Sequence, residues 1–329
     1  MSLKKLLMNA PDGVTPITSN QVFSTSLYTG DGSGVAKTIT NNINLASNGG
    51  LVWIKARNQS YSHALFDTVR GVGKYLSSDL TNTQSTVANT LTSFNSDGFS
   101  LGGATLVSGA TTNSFASWTF RKASKFLDVV TYTGNGVNNR QISHNLGIEP
   151  GLIIVKKYSG VDSWPTWHRS MGGASSLAYL NLTNSGSTVT SVFQGVTNSH
   201  FQIGLSTEIN ENGALYVAYL FAHDPSGIIQ CGSYTGNGSN AGTIVNLGWV
   251  PQYVLIKNVS SASDWFIFDT GRGIVTEGDD PYLRPNAPAA ELAGQRLDLT
   301  ATGFQLKRNS TAFNNLNDNY IYMAIKAAS

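Results

Sequence analysis

The stretch Tyr28-Thr29-Gly30-Asp31-Gly32 returns as Tyr132-Thr133-Gly134-Asn135-Gly136 and again as Tyr234-Thr235-Gly236-Asn237-Gly238. The copies lie 104 and 102 residues apart, about one small domain each. Periodicity on that scale marks a tandem array, not one continuous domain. Asx-Gly supplies the positive-φ positions that a tight reversal needs, so each copy predicts a chain turn.

Further landmarks follow each turn in the same order. An apolar run ending in lysine comes first: Leu51-Val52-Trp53-Ile54-Lys55, Leu152-Ile153-Ile154-Val155-Lys156 and Tyr253-Val254-Leu255-Ile256-Lys257. Short, β-branched and flanked by Gly or Pro, these runs predict buried strands. Next come Leu65-Phe66-Asp67, Thr166-Trp167-His168 and Ile267-Phe268-Asp269. A Tyr-Leu pair follows at Tyr75-Leu76, Tyr179-Leu180 and Tyr282-Leu283. Strands built on Phe99, Phe201 and Phe304 come next, and aromatic-rich strands close each copy at 115–120, 216–221 and 320–325.

This pattern predicts an all-β chain of three tandem β-sandwich modules of about 100 residues each, jelly-roll or lectin-like. The boundaries fall at 1–21, a non-repeat segment, then 22–125, 126–226 and 227–329. The strongest helical candidate, Ala287 to Gly294, is short. In the leading segment, Leu3, Leu6, Leu7 and Met8 suggest a docking element. Its apolar run is far too short for a signal peptide or a membrane span.

Charged residues make up only 12% of the chain and the formal net charge is +2. A nucleic-acid binder needs a concentrated basic stripe, and none is present. The single cysteine, Cys231, allows no intrachain disulfide, so stability must come from packing, and assembly in a reducing cytoplasm is tolerated. The five histidines have no metal-ligand spacing and the Gly-x-Gly pairs have no phosphate-loop context, so no metal and no cofactor is expected.

The recurrent Asp67/Arg70 and Asp269/Arg272 become His168/Met171 in the middle copy. That pattern fits a turn-ordering ion pair and does not fit a catalytic pair, and no catalytic residue is assigned. Of the five glutamates, Glu208 and Glu211 flank a turn. None is set in apolar, aromatic surroundings that would raise an acid's pKa, as glycoside hydrolysis requires. The aromatics Trp164, Trp167 and Trp249, close to loop polar groups, are the candidates for stacking on sugars.

Certain phrases carry a family resemblance: Ala116-Ser117-Trp118-Thr119-Phe120-Arg121-Lys122-Ala123, Phe126 to Gly136, His144-Asn145-Leu146-Gly147-Ile148-Glu149-Pro150-Gly151, and Gly227 to Gly238. From about Val22 onward the chain resembles a tandem β-domain family of tailed bacteriophages and prophages, labelled tail fibre or virion protein. The resemblance implies a virion location, assembly in the host bacterial cytoplasm, and other virion proteins as partners. It brings no catalytic motif. The expectation is a non-enzymatic tail fibre or tail-associated appendage that is homo-oligomeric and contacts host-surface glycan. The alternative is a capsid decoration protein at a quasi-threefold position, and a third reading is a glycan depolymerase.

Overall fold

The computed structural model describes residues 17–32, 34–274 and 276–328. The docking candidates Leu3, Leu6, Leu7 and Met8 lie outside the described residues. The regular secondary structure is almost entirely antiparallel β, with three four-residue helices at Ser19–Val22, Leu45–Asn48 and Thr207–Asn210 among the described residues. No helix forms at Ala287 to Gly294; its end, Leu292–Gly294, pairs as a strand with Asp280–Tyr282.

The same sheet pair appears three times. In the first repeat, strands Phe23–Thr29, Ser114–Arg121, Gly50–Ala56 and Ala64–Asp67 lie side by side in that order. A second sheet orders Lys37–Thr40, Gly98–Leu101 and Leu91–Asn95. The second repeat places Leu127–Thr133, Leu215–Ala222, Pro150–Lys157 and Pro165–His168 in the first order, and Arg140–Ser143, His200–Ile203 and Phe193–Val196 in the second. The third does so with Ile229–Thr235, Asn319–Lys326, Pro251–Asn258 and Trp265–Asp269, then Ile244–Asn246, Gly303–Leu306 and Leu297–Thr300. The chain thus alternates between two facing sheets, as a sandwich requires.

The Tyr-Thr-Gly landmark does more than reverse the chain. Tyr28, Tyr132 and Tyr234 each donate the phenol to a loop carbonyl, those of Val107, Ile209 and Phe313, at 2.8, 2.9 and 2.7 Å. Each ring stacks on its strand partner, Phe115, Tyr216 or Tyr320. The following glycine lies against that same loop. A Cβ on Gly30, Gly134 or Gly236 would collide with the backbone oxygen of Ser108, Glu211 or Asn315. Close backbone approach therefore selects glycine there.

The middle strands are apolar at successive positions because both faces are covered. In the first repeat, Val52 and Ile54 pack with Phe99 and Leu101 of the facing sheet. Leu51 and Trp53 point the other way, into a core shared with Leu152, Ile154, Tyr253 and Leu255 of the other repeats. Phe120 stands edge-on to Phe221 and to Tyr253, joining all three repeats at one point.

Register in the middle repeat differs from the sequence landmarks by two residues. Leu65 bridges Leu76 and Ile267 bridges Leu283, but the equivalent Thr166 pairs with Ala178. Tyr179-Leu180 therefore occupies the place of Ser77-Ser78 and Arg284-Pro285, not that of Tyr75-Leu76.

Candidate functional site

The junctions between repeats are built from equivalent residues and close into a ring. The backbone oxygens of Tyr158, Val259 and Arg57 occupy one position. They accept from the amides of Gln84, Gly186 and Glu291 at 3.0, 2.9 and 2.6 Å. These bonds join the first repeat to the second, the second to the third, and the third back to the first. A second set runs round the same ring. The indoles of Trp164 and Trp265 donate to the carbonyls of Leu80 and Tyr179, each at 2.9 Å. In the first repeat His63 takes that place. Its Nδ1 accepts from the Trp53 indole, so Nε2 carries the hydrogen and donates to Arg284 O at 2.9 Å.

The Asp/His position sits at the heart of each junction. Asp67 Oδ2 accepts from Arg70 Nε at 2.6 Å and from the Tyr219 phenol of the second repeat at 2.9 Å. Asp269 Oδ2 accepts in the same way from Arg272 Nε and from the Trp118 indole of the first repeat. In each pair the arginine amide also bonds Oδ1, ordering the turn. At the remaining junction Met323 stands where Trp118 and Tyr219 stand and cannot donate. His168 replaces the aspartate there. Its Nδ1 accepts from the Ser170 amide, and its Nε2 donates to Tyr322 O at 3.0 Å. Burial pushes the His168 pKa down to about 3, which keeps the ring neutral.

Lys156 and Lys257 also bond across the junctions, and Lys55 is their counterpart, held within the first repeat. Each ammonium is held by two backbone carbonyls. Lys156 reaches Thr81 of the first repeat and Lys257 reaches Thr183 of the second. Burial lowers each of the three to about 8.

The junction between the second and third repeats is not sealed like the other two. Elsewhere Arg70 meets Gln84, and Arg272 meets Glu291, which also grips Arg57 at 2.6 Å. Here Met171 and Gly186 stand in those places, and a cleft of about 490 Å³ opens. Its lining is rich in hydroxyls and carries no charge, with Ser170, Ser187, Thr188, Ser233 and Ser260 around Met171.

Smaller pockets sit at another equivalent place, above the strand at 64–67 and its counterparts. The first repeat has an uncharged one of about 460 Å³ with Ser62, Tyr75, Ser77 and Leu106. In the second repeat Tyr179 takes the place of Ser77 and bonds Glu208 at 3.0 Å. Burial raises the Glu208 carboxyl, contrary to the reading that no glutamate has surroundings of that kind. In the third repeat the place is lined by arginines.

The tryptophans proposed for sugar stacking are not available. Trp164, Trp167 and Trp249 are 0%, 5% and 9% exposed. Trp164 and Trp167 spend their indole N–H groups on Leu80 O and Gly173 O. Proximity to Pro and loop polar residues suggested exposure, but the neighbouring repeat covers Trp164. Among the described residues no group of three His, Cys, Asp or Glu is placed to hold a metal ion. No helix among them is long and apolar enough to cross a membrane.

No curated protein matches the sequence. One family does match, over residues 18–328, so the matched unit takes in all three repeats of the ring. The chain belongs to the family described as Domain of unknown function (DUF7483).

Proposed function

We propose that the chain is a non-enzymatic structural protein of a bacteriophage-type virion, tail-associated, that contacts host-surface glycan. The uncharged, hydroxyl-lined cleft between the second and third repeats supports this reading best. Its walls combine strand residues with the turn at 170–172, its serines and Thr188 suit a polyhydroxylated ligand, and Met171 supplies an apolar surface for sugar C–H groups. The resemblance to tail-fibre-type proteins supports the location. Buried aromatics play no part in the contact.

The ring itself favours a second reading. Three equivalent sandwiches around one core make a pseudo-trimer, a shape suited to a threefold position on a capsid. In that role the protein decorates the head without binding a receptor.

A reconstruction of the particle with this protein labelled separates the two. Low copy number at the tail supports attachment, whereas many copies over the head support decoration. Absence from purified particles overturns both. For the attachment reading, a glycan screen on wild type and on Gly186→Gln, which fills the cleft as Gln84 fills its counterpart, gives binding to the wild type alone.

A further inference from the structure

The pocket in the third repeat has a different chemistry from its two counterparts. About 260 Å³ in volume, it is lined by Arg284, Arg296 and Arg308 against one carboxylate, Asp264. In the first repeat Ser77 stands at the place of Arg284 and Ser62 at that of Asp264, and the sandwich is built without either charge. The repeats thus act as internal controls: the fold does not require arginines here.

Each arginine is held differently. Arg284 pairs with Asp264 at 3.0 Å, and Asn286 holds the other carboxylate oxygen at 2.6 Å. Arg296 lies over the rings of Tyr282 and Phe313, at 5.6 and 5.7 Å from their centroids. Stacking fixes its guanidinium plane, and with Nη1 donating to Gln295 O at 3.1 Å the remaining N–H groups are left for a ligand. Arg308 is exposed and has no ion pair or hydrogen bond among the described residues. The Ser310 hydroxyl in the same pocket is buried and has no hydrogen-bond partner there either.

We infer that this pocket binds the acidic monosaccharide unit of an anionic glycan. The carboxylate lies against the guanidinium groups of Arg308 and Arg296, and the sugar ring fills the rest of the pocket beside Ala312. A guanidinium fork matches a carboxylate in two parallel bonds. The volume lies just below the range of about 300–1,000 Å³ usual for small-molecule sites, so one sugar unit fits and an oligosaccharide extends outside. The role of such binding in attachment rests on the proposed function, but the binding itself does not.

Calorimetric titration of the full chain with glucuronate, glucose and acetate tests it, independently of where the protein sits on a particle. Glucuronate binds measurably and more tightly than acetate, and glucose does not bind. Arg308→Gln, at an exposed position, keeps the wild-type melting temperature and weakens glucuronate by about tenfold, the loss of one charge-assisted contact. Arg296→Gln weakens it as well. The inference is overturned if glucuronate does not bind, if acetate binds as tightly, or if Arg308→Gln leaves the affinity unchanged.

Discussion

Tyr219, in the second repeat, donates its phenolic hydrogen to Asp67 of the first at 2.9 Å, with both side chains fully buried. Trp118 and Asp269 repeat the relationship between the first repeat and the third at the same distance. A carboxylate already paired with its own arginine thus receives one further donor from the neighbouring sandwich. Burial of such a pair is tolerable only when its remaining lone pairs are satisfied.

Removing that donor costs stability without emptying the core. Tyr219→Phe keeps the ring and deletes only the hydroxyl, leaving Asp67 Oδ2 with Arg70 alone from the side chains around it. The expected loss is about 1–3 kcal/mol. Chemical denaturation measures it; a loss below about 0.5 kcal/mol would mean the junction does not depend on this bond.

His168→Asp tests why the middle repeat breaks the pattern. The new carboxylate would face the Tyr322 carbonyl, with Met171 where Arg70 and Arg272 stand. An unpaired buried charge costs about 3 kcal/mol or more. Adding Met171→Arg to the same chain restores part of the stability, which the denaturation midpoint of the double variant reports.

The buried lysines predict an unusual alkaline limb. Their native pKa values are lowered to about 8, against about 10.4 in the unfolded chain. Below pH 8 both states are protonated and the unfavourable burial is constant. From pH 8 toward 10 the native state loses protons first, so stability rises with pH. Above about pH 10 the buried phenols, Tyr132 and Tyr219 among them, are held protonated in the native state and reverse the trend. Unfolding free energies at pH 7.5, 9 and 10 check the rise, and Lys156→Met makes it shallower.

Gly134→Ala places a methyl group against the Glu211 carbonyl, in a turn also tied down by the Ala214 oxygen. Backbone must move, at an expected cost of about 2 kcal/mol or more. The exposed Val137, three residues on, is the control: Val137→Ala stays within about 0.5 kcal/mol. Equal melting temperatures for the two variants would contradict the close-approach account of the Tyr-Thr-Gly landmark.

Much of the fold was legible because it is local. Tyr28, Tyr132 and Tyr234 announced three copies, and short apolar runs such as 152–156 marked strands whose period and length suit no helix. The middle Tyr-Leu pair misled because identical residues need not share a register. Tyr179 is displaced by two positions, and there its ring serves Glu208 and its carbonyl serves Trp265.

The sequence by itself determined strand positions, the all-β class and the repeat, since turn chemistry and hydrophobic runs act over a few residues. Only the tertiary structure decided that the repeats close into a ring, that Trp164 lies covered, and that Met171 and Gly186 leave one junction open. Those outcomes depend on partners roughly one or two repeats away along the chain. Asp67 meets Tyr219 and Arg57 meets Glu291 through docking of whole sheets, and no local pattern encodes which neighbour a buried face will find.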